Sequence, residues 1–131
     1  MSGCTHEAAL GRPPAKGPLT VNVTCDQDVS IGLVDAARNQ AWAFEAKAKD
    51  PVEWQVGANV TSIDIQPKDA ANPLPLDSTP HGNGSGKAAK STIKDGAAKG
   101  TYAYQIVVTC QPSASGSAPI KITIDPDMII I

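Results

Sequence analysis

A chain of 131 residues suffices for one hydrophobic core but not for two, so a single domain is expected. The formal charge of −2, with both signs mixed along the chain, removes any electrostatic case for nucleic acid or an anionic membrane as partner. No apolar run approaches the roughly 20 residues that span a bilayer, and 11 Pro with 11 Gly mark many turns, which suits short strands better than helices.

Met1 to Gly17 lacks periodicity and carries Pro13-Pro14, so a flexible or extended N-terminal arm is expected ahead of a domain over residues 18–131. Leu19 to Cys25 alternates apolar and polar residues, the period-2 pattern of a half-buried strand. Asp26-Gln27-Asp28 reads as a turn, and Val29, Ile31 and Leu33 alternate again as a second strand. Asp35 to Gln40 fits a loop or one helical turn. Ala41 to Ala48 places Trp42, Phe44, Ala46 and Ala48 on one parity and is read as a strand. Val52 to Val56 alternates strictly, Gly57-Ala58-Asn59 turns, and Ile63 and Ile65 belong to the next strand.

Residues 67–90, rich in Pro and Gly, read as one long connection without structure of its own, a kind of loop that is often functional. Lys90 to Lys94 is a short candidate strand. In the last third, Tyr102, Tyr104, Ile106, Val108 and Cys110 fall on one parity, and after a polar linker Ile120, Ile122 and Ile124 alternate with Lys121 and Thr123. These two runs predict a long hairpin at the centre of an all-β sandwich of about 7–8 strands. With only five aromatic residues, burial must rest on Val, Ile and Ala.

Three cysteines occur without a CxxC spacing, which argues against a zinc cluster. By parity Cys25 and Cys110 both point inward near strand ends, where they could meet. A bond there would stabilise by about 4 kcal/mol in the chain-entropy model, and two buried free thiols fit the pattern equally. An oxidised pair implies the periplasm, cell envelope or exterior; a reduced pair implies the cytoplasm. No signal-peptide core is present, so the chain is either cytosolic or has lost a leader.

Other patterns carry less. His81-Gly-Asn-Gly-Ser-Gly-Lys87-Ala88 lacks the first Gly and the final Ser or Thr of a phosphate-binding loop, so a flexible loop is expected. Lys87, Lys90, Lys94 and Lys99 form a basic cluster. Its lysines fit a solvated loop and an edge strand guarded against pairing; with His81, Lys87 and Lys90 offer a contact site for an acidic partner. Asn22, Asn59 and Asn83 head glycosylation acceptor triplets, which are common by chance. Asp26, Asp28, Asp35, Asp50 and Asp69 sit at turns, with no base beside a nucleophile, so no catalytic pair is expected. The apolar end Met128-Ile129-Ile130-Ile131 either closes the sheet or adds as a strand to a neighbouring subunit.

The order Val52-Glu-Trp54-Gln-Val56, a Pro/Gly loop, then Gly100-Thr-Tyr102-Ala-Tyr104 leading to Cys110, resembles the cupredoxin-like Greek-key sandwich over about 80 residues, an architecture shared with immunoglobulin-like folds. The resemblance implies a tryptophan-bearing strand and a tyrosine strand in the core, with Cys110 where a copper thiolate would stand. A blue-copper site needs two His and a Cys with a weak axial ligand. The segment from Gln111 to Pro119 has neither His nor Met, His81 lies upstream and Met128 follows the last regular strand. The scaffold is therefore expected without the metal set, and no cofactor is expected. Gly100, Tyr102, Tyr104, Asp125, Pro126 and Ile129 also resemble the tail of small bacterial sandwich proteins without a characterised activity. Ser2-Gly3-Cys4 resembles the end of a bacterial lipoprotein cleavage site, which would make Cys4 a lipid anchor. The expected function is a non-enzymatic binding or structural module, acting through its surface or by self-association, with a copper-binding protein as the alternative.

Overall fold

The computed structural model describes residues 18–131; the arm, Cys4 and His6 lie outside the described residues. Ten strands form two mixed sheets, and no helix occurs among the described residues. The strands are β1 (Leu19–Cys25), β2 (Val29–Val34), β3 (Ala43–Ala46), β4 (Pro51–Val56) and β5 (Val60–Pro67), then β6 (His81–Asn83), β7 (Ala89–Thr92), β8 (Gly100–Cys110), β9 (Ile120–Ile124) and β10 (Asp127–Ile130). One sheet runs β2-β1-β4-β7. The other runs β3-β10-β8-β5-β6, with β9 also on β8.

This is the expected all-β sandwich, with more strands than the 7–8 read from the sequence. Parity works best where a strand is long and central. In β8, Tyr104, Ile106, Val108 and Cys110 are all 0 % exposed, while the residues between them are half-buried. β8 pairs β5 from Val60↔Cys110 to Pro67↔Tyr104 on one side. On its other side it pairs β9 and then β10. Each sheet also holds one parallel pair, β1 with β4 and β3 with β10.

Between the sheets Trp54, Phe44 and Tyr104 meet edge to face, with centroids 5.8–6.1 Å apart. The Trp54 indole Nε1 donates to the Tyr104 hydroxyl at 3.2 Å, which satisfies a donor that would otherwise be costly to bury. Burial pushes the Tyr104 phenol far above its ordinary range, so it stays protonated. Among the described residues the fully buried side chains are all hydrophobic, half-cystines included.

Three sequence expectations need correction. Residues 67–90 are not structureless: Leu76 is buried and bridges Ile93, the Pro80 carbonyl accepts from Ile65, and β6 pairs with β5. Nor does Trp42 share the inward parity of Phe44. The Ala41 amide donates to the Leu33 carbonyl of the facing sheet, so Ala41 turns inward, the chain bends, and Trp42 is left 41 % exposed. The candidate strand at Lys90–Lys94 is shifted to Ala89–Thr92, with Ala89 inward against Trp54.

Candidate functional site

β1, β5 and β8 all reach the same end of the sandwich. Cys25 closes β1 and Cys110 closes β8, and their sulfurs lie at bonding distance, with Cα atoms 6.3 Å apart. The bridge joins the two sheets and is almost fully buried. Four connections surround it: 26–28, 57–59, 84–88 and 111–119.

Short polar side chains tie these connections together. Asn59 Nδ2 donates to the Val23 carbonyl at 2.7 Å, and the Asn59 carbonyl accepts from the Gln111 amide at 2.8 Å. Ser85 Oγ donates to the Ala58 carbonyl. The Gly84 and Gly86 amides donate to the Thr61 and Val60 carbonyls at 2.9 and 3.0 Å. That tight loop needs φ of +124° and +71° at the two glycines, values that side chains rarely adopt. Asp26 reaches across 87 residues to Ser113, whose amide and hydroxyl donate to its carboxylate at 2.6 and 2.7 Å. These two donors hold the Asp26 carboxyl below its ordinary range. Gln111 Nε2 donates to the Ser117 carbonyl at 3.0 Å, folding the 111–119 loop on itself. Asp26, Ser113, Ser117 and Ile120 thus border one shallow depression beside the disulfide.

The arrangement can present backbone and small polar groups in fixed positions. It brings together Cys25 and Cys110. Cys110, held to Cys25, is not a free thiolate for copper, and no group of three or more His, Cys, Asp or Glu among the described residues is placed to hold a metal. His81, Lys87 and Lys90 are exposed but not gathered: Gly82 and Ala89 point inward, so His81 and Lys90 look out from opposite faces of the sandwich, with Lys87 on the loop between. Asn59 of the glycosylation triplet is engaged with Val23. Asp35, Asp50 and Asp69 accept from nearby backbone amides at 2.9–3.0 Å, the ordinary work of turn aspartates.

The tail does not hang free. β10 lies between β8 and β3, with Met128 and Ile130 at 0 % and 2 % exposure and the Ile131 amide donating to the Ala46 carbonyl at 3.0 Å. Both backbone edges of Met128–Ile130 are thus taken within the chain, and only the Ile131 side chain is exposed, at 42 %.

Sequence reasoning missed Asn59 and the Asp26–Ser113 pair. Asn59 is one turn residue among many, and Ser113 sits in a Ser/Ala/Gly/Pro run that announces a loop but not its contacts. No helix among the described residues is long and apolar enough to cross a membrane. No protein-family model matches this chain, nor does any curated protein match it at a significant level.

Proposed function

We propose that this protein is a non-enzymatic binding or structural module. Its cupredoxin-like or immunoglobulin-like sandwich is tied for an oxidising compartment, the periplasm, envelope or exterior of a bacterium, and it offers its disulfide-end loops to a protein partner. One observation carries this reading: four loops from distant parts of the chain are fixed to one another by a buried bridge and by side-chain hydrogen bonds. Binding loops on a rigid scaffold spend little of their contact energy on ordering. The aspartates are used to shape turns, in keeping with a non-catalytic role.

The tethering geometry agrees. β1 starts and β10 stops at the end opposite the loops. A chain held through the residues before Pro18, as lipid attachment at Cys4 would do, points the loops away from its anchor.

The test is site-specific photocrosslinking of the full chain in envelope fractions, with the probe at Ser115 in the loop end or at Asp95 at the far end, both exposed. A discrete protein adduct from position 115 alone is expected. Equal adducts from both positions, or none from 115, removes the reading.

A further inference from the structure

β9 and β10 are one strand in two pieces. Ile124 pairs with Ile106 and Asp127 with Ala103 in a single unbroken register. Between them the Pro126 carbonyl accepts from the Tyr104 amide at 3.1 Å, so pairing along β8 continues through the break. The outer side of this strand is only half covered. β3 pairs with Asp127–Ile130, but beside Ile120–Ile124 no strand of the described residues is placed. The vacancy is five residues long and stops where exposed Trp42 leads into β3.

The vacant side is apolar on its inner face. Ile120, Ile122 and Ile124 are half-buried at the margin of the core. β2 stands opposite on the facing sheet, because Val29 pairs with Cys25 and Ile120 with Cys110 on either side of the bridge. Val29 is 57 % exposed there and Ile31 half-buried. Edge strands are normally blunted by charges, proline or a bulge. β9 has only Lys121, on the outer face. The other edges are shorter or partly covered: segment 76–78 covers β7, β6 and β3 have three and four residues, and Gln40 and Ala41 close the far half of β2.

We propose that β9 is a self-association edge: two copies pair their β9 strands antiparallel about a two-fold axis at Ile122, each filling the vacancy beside the other. The sequence is self-complementary in this register. Ile120 opposes the partner's Ile124 and Ile122 opposes its own copy, so the apolar row continues across the junction. Lys121 opposes the partner's Thr123, with the partner's Asp125 on one diagonal and the partner's Lys121 on the other, so no like charges stand directly opposite on the outer face. Moving the axis to Lys121 would set two lysines against each other; moving it to Thr123 would leave only three residues of each β9 facing its copy. The occupant is therefore a second copy of this chain. Because the paired strands run in opposite directions, the two loop ends point opposite ways and so do the two chain starts, so the pairing is one of untethered copies rather than of two copies anchored to the same surface. The association does not depend on what those loops bind.

Sedimentation velocity across a concentration series tests this on the full chain carrying Cys4→Ser, which prevents thiol cross-links. A concentration-dependent monomer–dimer equilibrium is expected. Thr123→Lys lies on the exposed face and leaves the dilute monomer's melting temperature unchanged, but it faces Lys121 twice per dimer and weakens association about tenfold or more. Adding Lys121→Glu to Thr123→Lys restores opposite-charge pairs in this register and returns association to within about threefold of the parent. A parent that stays monomeric at about 1 mM, a Thr123→Lys protein that dimerises as tightly as the parent, or a double variant as weak as Thr123→Lys overturns the proposal.

Discussion

Removing the Cys25–Cys110 bridge should destabilise the protein more than any other small change of side chains, and in a way that distinguishes a bond from two packed thiols. The bridge spans 85 residues. In the chain-entropy model a loop of that size stabilises the folded state by about 4.5 kcal/mol, through the freedom it takes from the unfolded chain. For a domain this long, about 4 °C of melting temperature accompanies each kcal/mol, so a drop of about 15–20 °C is expected. The comparison uses Cys25→Ala, Cys110→Ala and the pair together, all in Cys4→Ser, with urea and thermal unfolding followed by circular dichroism under non-reducing conditions. A bond is lost only once, so either single change should cost nearly as much as both, a coupling of about 4 kcal/mol. The unchanged pair, fully reduced, should fall to the level of the variants. If the single costs are each about 1 kcal/mol and simply add, and reduction leaves the unfolding midpoint in place, the bridge contributes nothing and the reasoning fails.

Two further outcomes follow from the loop end and the strands beside it. Asp26 has its carboxyl held below the ordinary 3.8 by Ser113, so the folded state favours its ionised form. Its contribution is present above about pH 4 and fades as pH falls through the depressed folded value, so Asp26→Asn should separate from the parent in urea midpoint at pH 7 and the gap should narrow as pH falls below about 4; a gap that is constant with pH would contradict this. At Gly82 an added Cβ would run into the Lys87 carbonyl and stand 3.0 Å from Ile63 Cγ2, whereas at Gly32 nothing lies within 4 Å. Gly82→Ala should therefore lose about 1–3 kcal/mol, while Gly32→Ala should be neutral or gain about 0.5 kcal/mol; equal urea midpoints for the two variants would refute the close approach.

The fold was legible in the sequence wherever one face of a strand is buried along its whole length. Leu19, Val21, Val23 and Cys25 alternate because β1 is flanked on both sides, and Tyr104 to Cys110 alternate because β8 is the most enclosed strand. The pattern fails where burial comes from something other than alternating side chains. β6 is His-Gly-Asn, and its inward residue is a glycine whose backbone, not a side chain, packs under Lys87. Trp42 was misplaced because a hydrogen bond from Ala41 to the other sheet reset the parity. The tail was recognisable as a strand from Met128-Ile-Ile, but its parallel partner β3 lies more than 80 residues earlier, beyond any local signal. At the candidate site the cysteine pair could be inferred from strand parity, since each Cys sits on an inward row. The Asp26–Ser113 and Asn59–Val23 contacts could not, because short polar residues in turns carry no periodicity that would name a distant partner.

The bridge also governs what cleavage can do to the chain. Residues 25–110 form a covalent ring that holds β2 through β7 and nearly all of β8. A protease cutting once anywhere inside that ring, at the turn after Val56 or in the long stretch after Pro67, opens it without releasing a fragment. Such a nick is invisible on a gel until the sample is reduced. Only cuts before Cys25 or after Cys110 can shed a peptide, and there β1, β9 and β10 are each still held by their neighbours in the sheets. The protein is thus built to outlast single hydrolytic hits.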